Sequence, residues 1–498
     1  MNILSAEFLA FVAALTLLYY ILPLRVRKWL PIVGSAAFWL IGGVFGMVYL
    51  LAETALVWGA AKMMAKHERV RQPLFVIVLL LVFAGLFLLK EQLFSGLAVP
   101  MGAGGVLRFA TPLGLSYFTF QSTGYLIDVY RGKAVAEGNY FKVLLFCGFF
   151  PQLCQGPIGM WRDLEPQLDT PHRLEPQLFV EAVFLMTWGF FKKLVIADRI
   201  APFVQAALVH TAELPGWLAL LAVIGFTIEL YADFSGGIDI VRGVAQLIGI
   251  RLAENFRQPF FARSVSDYWR RWHISLGGWF RVYVFYPLAT SRLFGAISAW
   301  GQKRFGAKIG NSLPGAGSAF LVFMLIGLWH AFQWNALLYG VWFGLISLLA
   351  ILMEPLFKTW KKKLHITRQT RWFKIWELIR TWIAVLIAQF FACTTSPALA
   401  FQLMGRITAH FGTPSFATLS GLSYISLDLA ECIVAGIALV LLLVVDLLNE
   451  HSKNFLSKVG ASRLFIRWPL LMLLMLVVLV FGHYGVGYNA SSFVYAGF

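Results

Sequence analysis

The sequence predicts an all-α, polytopic integral membrane protein. Of its 498 residues, 59% are hydrophobic and only 13% are charged. Several apolar runs reach or approach the roughly 20 residues that a helix needs to cross a bilayer core. Their apolar character is continuous rather than alternating, which favours helices over the strands of a membrane barrel. Examples of such runs are residues 8–24, 31–52, 74–89, 433–445 and 470–482.

The positive charge indicates how the chain is oriented. A net charge of +17 could suggest a nucleic-acid partner, but the basic residues gather in short connectors, as cytoplasmic loops facing anionic lipid do. Following these connectors gives about ten to twelve spans of about 20 residues each in one domain, residues 1–498, with both termini outside the cytoplasm. Because its basic cluster follows the apolar run, the first helix is expected to be retained rather than removed as a signal. The basic connectors are residues 62–71, 251–271, 303–308, 358–374 and 453–467.

Two segments are too polar, or too broken by Pro and Gly, to predict simple spans. They are residues 111–130 and 149–161. Irregular backbone at membrane depth is tolerated only against protein or a water-filled cavity, so we expect both segments to line a cavity or to re-enter the membrane. A lipid-facing helix kinked by Pro is the alternative.

The cysteines give no sign of a metal site or a disulfide. Their spacing does not match that of metal ligands, and all four lie in apolar surroundings, so we interpret them as core residues. These cysteines are Cys147, Cys154, Cys393 and Cys432.

Carboxylates occur within an otherwise apolar stretch. Glu229 and Asp233 are four residues apart and would share a helix face, and Asp239 follows an expected helix break at Gly236 and Gly237. Carboxylates in a membrane helix are costly and face the bundle interior or a transport pathway. Structural ion pairs are the alternative interpretation.

A second charged stretch interleaves basic and aromatic residues. Arg270, Arg271 and His273 lie among three tryptophans in residues 262–288. The spacing favours an amphipathic helix at the cytoplasmic interface. A phosphate-bearing ligand such as a coenzyme is the alternative, because Arg binds phosphate with two parallel hydrogen bonds. The tryptophans are Trp269, Trp272 and Trp279.

One histidine lies near the middle of the longest uncharged run. Residues 309–353 contain no Asp, Glu, Lys or Arg, and His330 stands there between Trp329 and Trp334. A core histidine bonded to a backbone carbonyl is one interpretation, but ionisable residues at membrane depth are functional by default. Gln333 would share its helix face, and Asn335 lies just beyond. A neutral imidazole can accept a proton from an alcohol or a thiol near neutral pH. No Ser or Asp lies nearby to complete a triad, so the nucleophile is expected to belong to a substrate.

Both ends of the uncharged run are flanked by basic connectors, which predicts that both ends are cytoplasmic. The run is long enough for two crossings of about 20 residues each. His330, near its midpoint, is therefore expected close to the outward-facing turn.

Several motifs together carry a family resemblance. The chain contains PLGLSYFTFQSTGYLIDVYRG, YADFSGGIDIVRGVAQLIGIRLAENFRQPF, SVSDYWRRWHISLGGWFRVYVFYPL and GLWHAFQWNALLYG in that order, and it closes with SSFVYAGF. It resembles the membrane-bound O-acyltransferases, specifically the bacterial branch typified by the alginate O-acetyltransferase membrane subunit. The resemblance implies a ring of tilted helices around a thin centre with a funnel on each side. It also implies a catalytic core at about residues 106–355 and additional membrane helices at about residues 376–487.

The resemblance also implies roles for individual residues. His330 matches the family's catalytic histidine and would act as general base, and His273 matches its second histidine. Ala331 stands where a glycine is usual, and Phe343 where relatives often have another histidine. Seven further positions are candidates for binding substrate or donor: Trp329, Gln333, Asn335, Asp233, Arg270, Arg271 and Trp272.

The implied reaction is acyl transfer across the inner cell membrane. Acetyl-coenzyme A is the expected donor substrate, with no bound cofactor and no metal. The expected partners are the lipid bilayer, an SGNH-type acetyltransferase or esterase-like protein and an extracytoplasmic polysaccharide similar to alginate, cellulose or peptidoglycan.

Two other functions remain open. The D-alanyl transfer protein of teichoic acid synthesis shares the motifs, but its relatives are shorter, and the spans after about residue 400 favour the acetyltransferase branch. A flippase or transporter could use the same carboxylates without acyl chemistry. Transporters often contain inverted repeats, and none is evident in this sequence.

Overall fold

The chain folds as a bundle of helices. Its structure, a computed structural model, describes residues 2–91, 98–101, 105–108, 111–211, 214–367, 370–411, 428–452 and 455–484. The predicted all-α class is confirmed, with one small addition: strands β1 (Ala98–Met101) and β2 (Gly105–Arg108) pair as an antiparallel hairpin. The closing motif at residues 491–498 lies outside the described residues.

The α-helices run in chain order through three consecutive parts of the protein. The N-terminal third contains α1 (Ala6–Ile21), α2 (Leu24–Arg27), α3 (Leu30–Ile41), α4 (Val44–Lys66), α5 (Glu68–Lys90), α6 (Leu115–Tyr130), α7 (Tyr140–Gly148), α8 (Phe150–Gln155) and α9 (Trp161–Leu168). The middle third contains α10 (Pro176–Phe190), α11 (Asp198–Val209), α12 (Gly216–Leu247), α13 (Val265–Trp269), α14 (Ile274–Phe280), α15 (Tyr286–Ala289), α16 (Arg292–Phe305) and α17 (Ala307–His330). The remainder contains α18 (Trp334–Lys363), α19 (Arg371–Ala392), α20 (Pro397–Ala409), α21 (Leu429–Ser452), α22 (Phe455–Gly460) and α23 (Leu464–Phe481).

Within the described residues, 8 helices are long and apolar enough to cross a membrane. The loop charges predict about ten to twelve spans of about 20 residues each. The difference lies in helices such as α1 and α3, which are apolar but only 16 and 12 residues long. The eight long helices are α4, α5, α12, α17, α18, α19, α21 and α23.

Helix α12 is the most buried of the long helices and packs against α8, α10, α11, α19 and α20. It confirms that Glu229 and Asp233 share one helix. The expected break at Gly236 and Gly237 is wrong, because the helix continues through both residues. A Cβ at Gly236 would lie 2.8 Å from the Gly189 carbonyl oxygen of α10, so the glycine allows two helices to cross closely rather than ending one.

The two segments expected to be irregular behave differently. Residues 115–130 are not irregular, because they form the continuous and almost entirely buried helix α6. Its polar side chains have partners there: the Ser122 hydroxyl donates to Glu53 of α4 at 2.7 Å. In residues 149–161 the backbone is irregular, because α8 ends at Gln155 and non-helical backbone follows from Gly156 as far as α9; that the segment lines a cavity or re-enters the membrane stays a prediction.

The uncharged run forms two helices, as predicted. Helices α17 and α18 pack along each other, and α17 ends at His330. A Cβ at Gly327 would lie 2.2 Å from the Ala336 carbonyl oxygen, so this glycine lets the two backbones approach closely beside the turn.

The prediction that the four cysteines are core residues is confirmed only in part. All four cysteines are free thiols. Cys147 is buried, whereas Cys432 is exposed on α21, so it is not a core residue.

Candidate active site

His330 lies at a break between two helices. It is the last residue of α17, and Trp334 is the first residue of α18. Between them the backbone is extended, with φ of −158° at Ala331 and −131° at Gln333. The prediction that Gln333 shares a helix face with His330 is therefore wrong, because no helix connects the two residues. The Gln333 side chain is exposed.

His273 lies in a buried turn between α13 and α14. His273 is the N-cap of α14, and its φ of 45° is left-handed; α13 ends at Trp269, four residues earlier. The amphipathic helix expected in residues 262–288 is not continuous, because this stretch is divided into α13, α14, a π-helical turn at Arg281–Phe285 and α15. Only 1% of His273 is exposed. Burial lowers the pKa of His273 to about 3, so its ring is neutral at physiological pH.

Trp329 brings the two histidines together. Its ring centroid lies 4.6 Å from that of His330 and 6.3 Å from that of His273. Tyr339 of α18 lies 6.4 Å from His330, and Phe234 of α12 lies 4.9 Å from His273. The sequence predicts the two histidines separately, and the structure places both of them next to one indole ring.

Three N–H groups around these rings have no acceptor among the described residues. They are Nε1 of Trp329, Nε1 of Trp269 and Nδ2 of Asn255. Trp269 lies 6.5 Å from Tyr339, and the Oδ1 atom of Asn255 lies 3.2 Å from Nδ1 of His273. A buried donor without an acceptor costs free energy, so donors of this kind are available to a substrate oxygen.

Two charged residues at the end of α5 reach the same helix break. The Lys90 ammonium donates to the Trp329 carbonyl oxygen. The neighbouring Glu91 accepts from the Phe332 N–H at 3.1 Å. Sequence reasoning missed both residues, together with Asn255, Trp269 and Tyr339 as neighbours of the histidines. Asn255 belongs to a motif that carries the family resemblance, and that was the available signal.

The other predicted binding residues have contacts of their own. Asp233 is fully buried and pairs with Lys193. The Asn335 amide donates to the Thr394 carbonyl oxygen at the end of α19. Arg271 binds both carboxylate oxygens of Glu450, at 2.6 and 3.0 Å.

The two residues that flank Arg271 differ in exposure. The Arg270 side chain is exposed, and its Nε donates to the Ser266 carbonyl oxygen. Trp272 is 4% exposed and packs edge-on against Phe256, with the ring centroids 5.0 Å apart.

Phe343 is fully buried in the aromatic wall of the site. Its ring centroid lies 5.0 Å from that of Trp269 and 5.0 Å from that of Tyr339. An apolar ring therefore occupies position 343 in the wall beside Trp269 and Tyr339. Nowhere in the described ranges do three or more His, Cys, Asp or Glu side chains come together as metal ligands could.

Comparison with known proteins identifies the family. The model of the membrane-bound O-acyltransferase family matches residues 32–299, more than half of the chain. The chain belongs to the membrane-bound O-acyltransferase family. The matched residues include His273 and end before His330.

Individual relatives extend the similarity. The chain is 33% identical over 341 residues to the probable alginate O-acetylase AlgI of Azotobacter vinelandii, covering 66% of this chain and 64% of that protein. It is 28% identical over 453 residues to the AlgI protein of Pseudomonas syringae pv. tomato, covering 88% and 80%. It is 29% identical over 291 residues to the teichoic acid D-alanyltransferase of Bacillus subtilis, covering 56% and 66%. The chain thus spans less than two thirds of the length of the Azotobacter relative.

Proposed function

We propose that this acyltransferase moves an acetyl group from cytoplasmic acetyl-coenzyme A to a hydroxyl outside the cytoplasm, with His330 as general base. The observation that carries the proposal is the arrangement of two histidines around Trp329 at a helix break. A neutral imidazole can take a proton from a hydroxyl near neutral pH. The break leaves the His330 ring at the end of the apolar helix α17, where it can contact a substrate.

The reaction uses these residues in one sequence. His330 takes the proton of the acceptor hydroxyl, whose oxygen attacks the thioester carbonyl carbon. The Nε1–H group of Trp329 donates to the negative oxygen that forms on that carbon, as preorganised donors do in acyl transfer. The carbon–sulfur bond then breaks, and the coenzyme A thiolate takes the proton from His330. The products are the acetyl ester and free coenzyme A.

The acceptor in this proposal is an extracytoplasmic polysaccharide, reached directly or through an SGNH-type partner protein. The names of the Azotobacter and Pseudomonas relatives support an acetyl donor and an alginate-like glycan. The similarity to the Bacillus protein supports D-alanyl transfer as a second candidate. The Pseudomonas match favours the first candidate because it extends over 88% of this chain, against 56% for the Bacillus match.

Purified protein in lipid vesicles would test the donor. We expect acetyl-coenzyme A to release free coenzyme A faster when acetyl-free alginate oligosaccharides are present, and we expect no reaction with D-alanine bound as a thioester to its carrier protein. Reaction with the D-alanyl thioester alone would establish the second candidate. Failure with both donors, with and without a co-expressed partner protein, would contradict acyl transfer.

A variant of Trp329 would test the mechanism. Trp329→Phe keeps an aromatic ring beside both histidines but removes the Nε1–H group. Loss of one donor to a developing oxyanion lowers kcat by about 10²-fold and leaves KM nearly unchanged. An unchanged kcat would remove Trp329 from the mechanism.

A further inference from the structure

Asn255 makes an unusual number of hydrogen bonds through one atom. Its Oδ1 lies 2.9 Å from the backbone nitrogen of Ser275, 2.9 Å from the Ser275 hydroxyl and 3.2 Å from Nδ1 of His273. Asn255 is fully buried in the connector between α12 and α13. It therefore joins His273 to the first turn of α14.

The backbone of Ser275 identifies the atom that faces it. A backbone N–H can only donate, so the side-chain atom of Asn255 at that position must be the oxygen. Rotating the amide would bring its NH₂ group against the Ser275 N–H and lose the bond. The side-chain orientation is thus determined by a donor whose hydrogen is not in question.

The Ser275 hydroxyl is oriented in the same way. Its oxygen accepts from the Ile158 N–H at 3.1 Å, again a group that can only donate. The hydroxyl hydrogen is then available for Asn255. The backbone supports the arrangement from the other side, because the Ile274 N–H donates to the Asn255 carbonyl oxygen at 3.0 Å.

These constraints determine where His273 carries its hydrogen. An amide oxygen accepts and does not donate, so Nδ1 of His273 must carry the hydrogen that joins it to Asn255. A ring as buried as His273 is neutral and carries one hydrogen only. Its Nε2 atom is therefore left with a lone pair.

We infer that Asn255 is the positioning residue of the site, holding His273 in the tautomer whose Nδ1 is protonated and whose Nε2 accepts. In the reaction His273 then receives a hydrogen bond or a proton at Nε2 and does not donate to the thioester oxygen. When a proton arrives, the Asn255 oxygen stabilises the resulting cation through Nδ1. The tautomer stands on geometry alone, whereas its use in catalysis rests on the proposed acyl transfer.

Nitrogen NMR of protein labelled with ¹⁵N at histidine would test the tautomer directly. The His273 signals are assigned by their loss in His273→Gln. We expect a protonated, pyrrole-type signal for Nδ1 and an unprotonated, pyridine-type signal for Nε2 in the wild type at neutral pH. The opposite pattern, or two protonated nitrogens, would overturn the inference, and neither result depends on whether acyl transfer occurs.

Two substitutions of similar size separate positioning from folding. Asn255→Asp keeps an acceptor oxygen, and we expect it to retain the tautomer and most of kcat. Asn255→Leu removes the acceptor, and we expect a mixture of tautomers and a kcat lower by about 10²-fold, with KM for the donor unchanged. The matched control is Ser35→Ala, which removes the acceptor of another buried backbone N–H, that of Phe150 at 3.1 Å.

Some results with these variants would contradict the inference about Asn255. Equal loss of kcat in the Asp and Leu variants, with the wild-type tautomer retained in both, would contradict a positioning role. If Asn255→Leu does not fold, the Asn255→Asp variant and the wild-type spectrum still test the tautomer of His273. A wild-type spectrum as expected, in a protein that transfers no acyl group, would refute the proposed function and leave the tautomer standing.

Discussion

The Lys90 ammonium lies over the Trp329 ring, 4.8 Å from its centroid, and donates to the Trp329 carbonyl oxygen. That carbonyl is in the last turn of α17, where carbonyl oxygens have no partner within the helix. Glu91, the next residue, accepts from the Phe332 N–H on the other side of His330. The end of α5 therefore holds the backbone on both sides of the candidate base.

Lys90→Met tests this support. Met retains an apolar stem but loses the charge and the donor, and a hydrogen bond from a charged group contributes about 1.5–3 kcal/mol. We expect kcat to fall on the order of tenfold, with little change in KM for the donor. Steady-state kinetics in lipid vesicles would measure both constants.

The chain offers a matched control for this change. Lys62 lies 4.5 Å from the centroid of the Trp58 ring on α4, so Lys62→Met removes a similar cation–ring contact away from the histidines. An equal loss of kcat in both variants would mean that the effect of Lys90 is not local to the site.

The two neighbouring arginines are expected to have different roles. Arg271 joins α13 to Glu450 of α21 through two hydrogen bonds, whereas Arg270 is exposed. Arg270→Gln should raise KM for acetyl-coenzyme A without lowering kcat, because it removes only uniform binding. Arg271→Gln should lower the unfolding temperature, and Glu450→Gln should lower it similarly. A normal donor KM in Arg270→Gln would exclude that residue from donor binding.

The Asp233–Lys193 pair is expected to serve stability. Lys193 is 1% exposed and also pairs with Asp198 at 2.9 Å. Removing one member of a buried pair costs about 3–5 kcal/mol because the other charge is left in an apolar interior. We expect Asp233→Asn to lower the unfolding temperature, and Lys193→Met to lower it further, because Asp198 still pairs with Lys193 in the first variant, whereas the second removes the cation that both buried carboxylates share. If Asp233→Asn abolished activity in a protein of normal stability, Asp233 would instead belong to the site.

The orientation of α18 provides a test of topology. Its 30 residues extend over about 45 Å, more than the bilayer core of about 30 Å. We expect a cysteine at Gln333 to react with an impermeant thiol reagent in intact cells, and a cysteine at Lys362 to react only after the cells are opened. Exposed Cys432 must first be replaced by Ala. The reverse pattern would invert the proposed direction of acyl transfer.

Sequence reasoning could predict the helices and the two histidines because these signals are local. An apolar run of sufficient length predicts a membrane span, and a lone ionisable residue within that run indicates a functional site. The turn near His330 could be predicted from the length of the uncharged run. The extended backbone that follows His330 could not be predicted, because the conformation of Ala331 depends on the packing of α17 on α18 rather than on residue type.

The supporting residues could not be predicted in the same way. Lys90 lies at the end of an apolar helix, where a basic residue usually indicates only the membrane boundary. Its contact with Trp329 depends on where the tertiary fold places the end of α5. Asn255 lies in a polar connector, and only the fold of the next turn shows that its oxygen faces His273. The helix break predicted at Gly236 and Gly237 was wrong for a related reason: glycine is favoured both where a helix breaks and where two helices pack closely, and the sequence does not distinguish the two.

The central claim is that His330 is the general base, and one comparison of variants tests it most directly. Acetyl transfer from labelled acetyl-coenzyme A is measured for wild type, His330→Ala and His330→Gln, each normalised to folded protein by size exclusion. His172→Gln is the control, since His172 lies in the connector between α9 and α10 and its ring contacts the Gln167 carbonyl oxygen of α9. We predict normal amounts of both His330 variants, a turnover lower by about 10²–10⁴-fold in each, and a control that matches wild type. Substantial turnover in His330→Gln, with His330→Ala reduced only in yield, would show that His330 is a packing residue and would contradict the mechanism.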